Sequence, residues 1–354
     1  MDDVTVTTGA RVRDLLDTGR LDLPLPGRGR TALRLARLRE LGEDDLVVAR
    51  LAEAHTDALH ILTDLADPPV DGRVPGGGLL DGADRHLWGV WAADPPGASL
   101  RAEHDPASGR WSVSGPKPWC SGATTCDRAL VTAHAHDGYR LLALDPRHPG
   151  VTVRPSAWAG PGMAGSDTRD LHLDTVAAEP VGAPGAYLDR TGFWWGAAGV
   201  AAVWLGGARR VARTLHRVAA RHRSDLALAS LARVDAAQHA AWATLLVVAD
   251  LADRASGPGP GHAAGREDGR EDGDGVEVGT GAARLAAARA RAAVETAVEV
   301  TLLETARTCG PGPLATDAEH ARAVADLTVY VRQSHGDRDL AVLGGLVLDA
   351  RDEA

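Results

Sequence analysis

The side chains in this sequence that could take part in chemistry fall into three short clusters. The first is Trp119-Cys120-Ser121. On a β-strand, alternation places Trp119 and Ser121 on the same side, giving a broad apolar wall with a hydroxyl beside it; a core tryptophan next to a turn serine has the same spelling. The second is Gln333-Ser334-His335-Gly336-Asp337-Arg338-Asp339. Histidine titrates nearest neutrality, so His335 can serve as acid or base, while the run equally reads as a solvated, salt-bridged turn at a helix start. The third is Arg221-His222-Arg223-Ser224-Asp225-Leu226, in which Arg221 is either a guanidinium for bidentate phosphate binding or a surface arginine. Cysteine chemistry is thin. Cys120, Cys126 and Cys309 are too few for a disulfide framework in 354 residues, and no neighbouring Cys/His pair completes a zinc site. Lys117 is the only lysine; beside the abundant arginine, alanine and glycine it reads as a bias of base composition.

The elements that must carry these clusters can be read from hydrophobic period. Leu33, Leu35, Leu38 and Leu41, then Leu46, Val47, Leu51, His55, Leu59 and Leu62, recur at three-to-four spacing and predict helices between Val12 and about Asp67. Pro68, Pro69 and Pro75-Gly76-Gly77-Gly78 break that pattern and place a boundary within 68–83. The period then changes to two. Trp111–Ser114, Ala129–Ala133, Tyr139–Leu144, Val151–Val153 and Leu171–Leu173 predict short strands separated by Gly, Pro and Asp turns, which suggests a sandwich or barrel. After Pro184-Gly185 the sequence is helical again, over Phe193–Arg223, Leu226–Ala255, Ala282–Thr308 and Asp317 to about Arg332. Residues 256–279, with their repeated Gly-Arg-Glu-Asp-Gly, predict a flexible inter-helix loop. The expected fold class is α+β: an N-terminal helical domain (1–83), a central β barrel-like domain (84–185) and a C-terminal long-helix bundle (186–354).

Composition narrows the function classes. With 44% hydrophobic and 24% charged residues the chain is an ordinary globular one. A net charge of −10 argues against a nucleic-acid partner. The longest apolar run, Trp194 to Ala208, is interrupted by Gly196, Gly199, Gly206 and Gly207 and falls short of the ~20 residues of a bilayer span, so no membrane segment is expected. Asp2 and Asp3 open the chain without a secretory pattern, which makes the cytoplasm the expected compartment. Long helices apolar on several faces, such as Ala282–Thr308, predict a homodimer or homotetramer.

The order of helices, β domain and long helices resembles the acyl-CoA dehydrogenase superfamily over nearly the whole chain, and three motifs carry the resemblance. Lys117-Pro118-Trp119-Cys120-Ser121-Gly122-Ala123 is similar to that family's strand of tryptophan, small or aliphatic residue and Ser/Thr. Trp91-Ala92-Ala93-Asp94-Pro95-Pro96-Gly97-Ala98-Ser99 is similar to its segment of aromatic, small residues, acidic residue, Pro and Gly. Gly162-Met163-Ala164-Gly165-Ser166-Asp167-Thr168, followed by Leu171–Leu173, is similar to its Gly, Met and Ser-x-Thr.

The resemblance implies a non-covalently bound FAD in a cleft between the β domain and the C-terminal helices. It assigns Trp119, with its neighbour Cys120, to the wall of the flavin ring, Ser121 to a hydroxyl near the reactive nitrogen, and the Trp91 segment, through Ala93 and Asp94, to the pyrimidine side. Arg221 stands where the family's arginine reaches the cofactor diphosphate of another subunit, but the family's Phe-Gly pair is missing. Cys309-Gly310-Pro311-Gly312-Pro313 matches a glycine-rich turn against the neighbouring dinucleotide, and a plain helix-ending loop explains it as well. The family's catalytic glutamate is also missing: its two possible positions align with Ser334 and Gly196, leaving His335 as the candidate base. Three functions follow from the resemblance. They are an FAD-dependent dehydrogenase acting on an acyl thioester or related small molecule, a flavin monooxygenase that needs no such base, and a non-redox scaffold or binding subunit.

Overall fold

In the computed structural model, residues 3–65, 82–97, 99–155, 157–255 and 280–352 are described. Three helices open the chain: α1 (Asp3–Asp17), α2 (Thr31–Asp44) and α3 (Leu46–Leu65). The break between α2 and α3 is written by Asp45, which turns to an extended conformation and accepts the Val47 and Val48 amides at 3.0 and 3.1 Å. That is the work of an N-cap carboxylate on otherwise orphaned donors. The described residues group into two compact units, one drawn from 1–22, 50–160 and 164–193 and the other from 23–49, 161–163 and 194–354.

The first unit is built on seven strands: β1 (Trp88–Trp91), β2 (Arg101–Asp105), β3 (Arg110–Cys120), β4 (Arg128–Ala135), β5 (Gly138–Leu144), β6 (Val151–Val153) and β7 (Arg169–Pro180). β4 pairs with β5, β5 with β7, β7 with β3, β3 with β2, and β2 returns to β4, while β1 lies parallel to β4 and β6 lines β7. Closing the ring removes unpaired edges, which is the physical advantage of a barrel over an open sheet. Ala129, Val131 and Ala133 of β4 and Leu142 and Leu144 of β5 face inward, packing with Val113, Leu171, Leu173 and Val176. The alternate residues Leu130, Leu141 and Ala143 meet Ala58, Ile61 and Leu62 of α3. Strands covered on both faces need apolar residues at successive positions, as in Ala129-Leu130-Val131 of β4 and Leu141–Leu144 of β5. Arg13 of α1 fixes the turn before β4, donating to Asp127 Oδ2 at 3.0 Å and to the Thr125 carbonyl at 2.9 Å.

After the short α4 (Ala186–Asp189), the second unit is made largely of α5 (Gly192–His222), α6 (Asp225–Ala255), α7 (Thr280–Cys309), α8 (Gly312–Thr316), α9 (Ala318–Tyr330) and α10 (Asp337–Asp352). Ala212 and Leu215 of α5 and Val234 of α6 share a cluster with Leu231, Val300 and Cys309. Helix α2 crosses α5 backbone to backbone. A Cβ on Gly206 would fall on the Arg39 carbonyl oxygen, and one on Gly42 would fall on that of Val203.

The fold class is the expected α+β arrangement, with a barrel-like sheet and long helices. All five predicted strands lie within β3 to β7, and the four predicted long helices match α5, α6, α7 and α9 to within about two residues at each end. β1, β2 and α10 lie beyond those expectations. β2 has a physical reason to escape notice: only Ala102 of its five residues is buried, so it carries no alternation. Among the described residues no helix is long and apolar enough to cross a membrane. The predicted 256–279 loop lies outside the described residues, as does most of the 68–83 boundary.

Candidate functional site

The Trp119 cluster is shaped by an irregularity in the barrel. Lys117 of β3 pairs with Leu171 of β7 and Cys120 pairs with Arg169, so β3 advances three residues while β7 advances two. One extra residue is therefore accommodated, as in a β-bulge, a device that re-aims side chains. Trp119 takes up the distortion with φ +62, a left-handed conformation that strains any residue with a Cβ. Trp119 is 56% exposed, whereas Trp88, Trp91 and Trp204 are fully enclosed. The ring edge meets Trp158 at right angles, with centroids 6.0 Å apart. β3 ends at Cys120 and Ser121 begins a turn, so the bulge rather than simple alternation decides where Trp119 points.

Beneath Trp119 the wall is closed. Cys120 and Trp91 face the barrel core, and Trp91 Nε1 donates to the Ser121 carbonyl at 2.9 Å. Both residues thus support the site from behind. Burial pushes the Cys120 thiol well above its usual range, with the Lys117 charge acting the other way, so Cys120 is no nucleophile at neutral pH. Above this floor, Ser121 Oγ lies 2.9 Å from Thr168 Oγ1, which in turn lies 2.8 Å from Ser166 Oγ. Asp167, buried and at φ +50, accepts the Thr124 amide at 2.6 Å and the Thr124 hydroxyl at 2.7 Å on one oxygen and Arg169 Nε at 3.0 Å on the other. The Gly122 and Ala123 amides donate to the carbonyls of Ser166 and Asp167. Two strained non-glycine residues and a chain of hydroxyls thus meet on two laced loops, and such strain persists where surrounding structure imposes it, often at functional sites. Ala93 is exposed just after β1, and Asp94 Oδ2 lies 3.0 Å from His134 Nε2. His134 was not singled out from sequence, and only β1–β4 pairing brings it to Asp94.

The remaining candidates lie in the second unit. His335 is exposed at the start of α10; its Nδ1 is 3.3 Å from Asp339 Oδ1 and its amide donates to Asp339 Oδ2 at 3.2 Å. Ser334 beside it is buried and donates to Glu295 Oε2 of α7 at 2.5 Å, while Arg332 Nη1 lies 3.2 Å from Glu295 Oε1. Ser334, which aligns with the family's glutamate, is thus bonded to a carboxylate from α7, both of whose oxygens are engaged. Gly196 brings no side chain to α5. Arg221 is exposed in the last turn of α5. Asp326 of α9 is buried, accepts the Met163 amide at 2.6 Å and pairs with Arg322 at 3.3 Å. Burial dominates there and pushes its carboxyl above the ordinary range.

The chain superposes on the FMN-bound structure of TdsC, the dibenzothiophene monooxygenase from Paenibacillus sp. A11-2, with 17% identity, a TM-score of 0.73 and coverage of 98% of this chain and 97% of that one. It superposes equally on a nitrososynthase from Micromonospora carbonacea var. africana, with 19% identity, a TM-score of 0.73 and coverage of 97% and 94%. A glutaryl-CoA dehydrogenase from Mycobacterium smegmatis in complex with FADH2 aligns with 15% identity, a TM-score of 0.65 and coverage of 94% and 90%. The chain has the acyl-CoA dehydrogenase fold. No family model and no curated protein sequence matches it. Within this acyl-CoA dehydrogenase fold the Trp119 locus fits a flavin ring, which asks for an apolar wall and hydrogen-bonding groups at its edge. The exposed indole supplies the first, and the Ser121 and Thr168 hydroxyls the second.

Proposed function

We propose that the protein is a flavin-dependent monooxygenase that takes up reduced FMN against Trp119 and oxygenates a small organic substrate. The observation that carries this reading is the exposed side chain of Trp119 two residues from Ser121, whose hydroxyl heads the Ser121–Thr168–Ser166 chain. When bound, the reduced flavin supplies the reaction with molecular oxygen, and the chain's own residues do the rest. Trp119 covers one face of the ring and excludes water from it. Ser121 and Thr168 would hold its edge by hydrogen bonds, and Ala93 with the Asp94–His134 pair would be available to its pyrimidine side. His335, exposed and paired with Asp339, is the acid or base candidate of this reading. Arg221 is the guanidinium available to a flavin phosphate, offered from one copy of the chain to another. TdsC has been solved with FMN, and the missing Phe-Gly removes part of the expected grip on the second half of FAD, so FMN is favoured.

The dehydrogenase reading is second, supported by the likeness to the glutaryl-CoA dehydrogenase. It needs a carboxylate or equivalent base for the substrate's α proton, and Glu295 is already held by Ser334 and Arg332. Anaerobic mixing of flavin-loaded protein with a panel of acyl-CoA thioesters separates the two: no bleaching is expected, whereas reduction by an external NADH-dependent reductase followed by oxygen uptake is. Bleaching by an acyl-CoA would establish the dehydrogenase instead, and failure to bind any flavin would leave the scaffold reading.

The functional form is a homo-oligomer. Between Asp337 and Arg351 no side chain of α10 is buried, although it carries Leu340, Val342 and Leu348 at 49%, 48% and 64% exposure. Leu340 and Leu348, about 80° apart around the helix, share one side of it and Val342 lies on another; apolar exposure of that kind needs a cover, and a second copy of the chain is the cover proposed.

A further inference from the structure

We infer that Lys117 is a positioning residue whose buried ammonium fastens the β3 bulge to β4 and so holds Trp119 outward; the consequence for flavin binding rests on the function proposed above.

Lys117 is the chain's only lysine and is 1% exposed. A buried ammonium is costly unless its donors are taken up, and a barrel interior is filled more cheaply by an apolar side chain. Here the donors go to a single residue of β4: Nζ lies 3.0 Å from the Thr132 carbonyl oxygen and 3.0 Å from Thr132 Oγ1. Lys117 is also the last residue of β3 in regular register before the bulge, and Cys120 is the first after it. The Cys120 thiol donates back to the Lys117 carbonyl at 3.2 Å. The two residues between them are therefore clamped at both ends, on one side by the ammonium and on the other by the thiol. Pro118, which has no amide hydrogen to give to a ladder, and Trp119, at φ +62, occupy the clamped stretch. Left-handed Trp119 is a strained state that persists only when its surroundings impose it. Released from Thr132, the segment relaxes toward extended backbone, and a one-residue shift along a strand turns a side chain to the opposite face. The indole then leaves both Trp158 and the proposed flavin face.

The test uses the full chain with and without FMN. The right-angled Trp119–Trp158 pair is close enough to give an exciton couplet in the far-ultraviolet circular dichroism spectrum, identified as the component lost in Trp158→Phe. In Lys117→Met the couplet is expected to disappear from folded apoprotein and the Kd for FMN to rise about tenfold. Gly206→Ala, destabilised at the distant α2–α5 crossing, serves as the control for a merely structural effect and keeps both couplet and affinity. Should Lys117→Met fail to fold, Thr132→Val removes the hydroxyl acceptor, together with that hydroxyl's own 3.4 Å bond to the Ala92 carbonyl, and is expected to weaken the couplet, with Thr132→Ser restoring it. A couplet that survives in Lys117→Met, or in Thr132→Val if that variant must decide, overturns the inference. If wild-type protein binds no flavin while Lys117→Met still loses the couplet, the anchoring stands and the flavin reading fails.

Discussion

Replacing Trp119 by glycine separates its two roles, because a flavin wall and a core tryptophan respond in opposite ways. A tryptophan side chain presents roughly 250 Å²; with Trp119 56% exposed, about 140 Å² is open to a ligand by that measure. A ring stacked on one face covers about half of it, and at ~25 cal/mol per Å² that burial is worth about 2 kcal/mol. Offset stacking of two aromatic systems adds about 1 kcal/mol, so Trp119→Gly should weaken FMN binding by about a hundredfold. In the apoprotein the balance is different. Glycine accepts φ +62 without strain, a gain of about 1 kcal/mol, while removing the roughly 110 Å² of side chain already buried, the edge contact with Trp158 included, costs about 3 kcal/mol. The melting temperature of Trp119→Gly apoprotein should thus stay within about 3 °C of wild type. The assay is paired: flavin fluorescence titration for Kd and thermal unfolding without flavin. A melting temperature lower by more than about 5 °C with an unchanged flavin Kd would refute the assignment and make Trp119 a packing residue.

Three further outcomes are expected. Glu43 accepts Arg209 Nε at 2.6 Å and Arg213 Nη2 at 2.9 Å; burial alone would raise its pKa, but the two guanidinium groups outweigh it and hold the carboxyl below its usual 4.5. A depressed folded-state pKa stabilises fully above the unfolded value and is lost as pH falls through the folded one. Glu43→Gln should therefore be about 1 kcal/mol less stable at pH 7 by denaturant titration, with the gap closing in acid below 4.5; a gap that persists there would contradict the ion-pair assignment. Gly206→Ala places a methyl on the Arg39 carbonyl and should cost about 2 kcal/mol, read as a melting temperature lower by several degrees; unchanged stability would show that α2 and α5 can separate freely. Leu340→Asp combined with Leu348→Asp charges the exposed face of α10 and should shift sedimentation from oligomer to monomer, whereas a wild-type protein already monomeric at micromolar concentration would remove the proposed partner.

The parts of the fold legible in the sequence were those whose burial is local and periodic. β4 and β5 are apolar at successive positions because α3 covers one face and the barrel core the other, and the long helices announce themselves by period alone. β2 hid because four of its five residues face water, and the last part of β3 hid behind Pro116 and Pro118. The site was legible as a set of residue types and not as a geometry. Nothing in the letters of Trp119 records a left-handed backbone; that follows from a register mismatch with β7, some fifty residues away. As a letter Lys117 reads as a bias of base composition, and only the fold encloses its ammonium on Thr132. Glu295 reaches Ser334 across 39 positions and two helices, a pairing no aligned motif contains. Ser334, the position aligned with the family glutamate, has no carboxylate of its own, and the one bonded to it comes from α7.

The most direct test of the central claim is a titration of purified wild-type protein with FMN and with FAD, following the melting temperature and the quenching of flavin fluorescence together. Saturable binding of one flavin per chain is expected, with FMN at least as tight as FAD, a raised melting temperature and quenching that Trp119→Gly abolishes. Protein whose melting temperature neither flavin raises, and which leaves flavin fluorescence unquenched at concentrations far above micromolar, would contradict it.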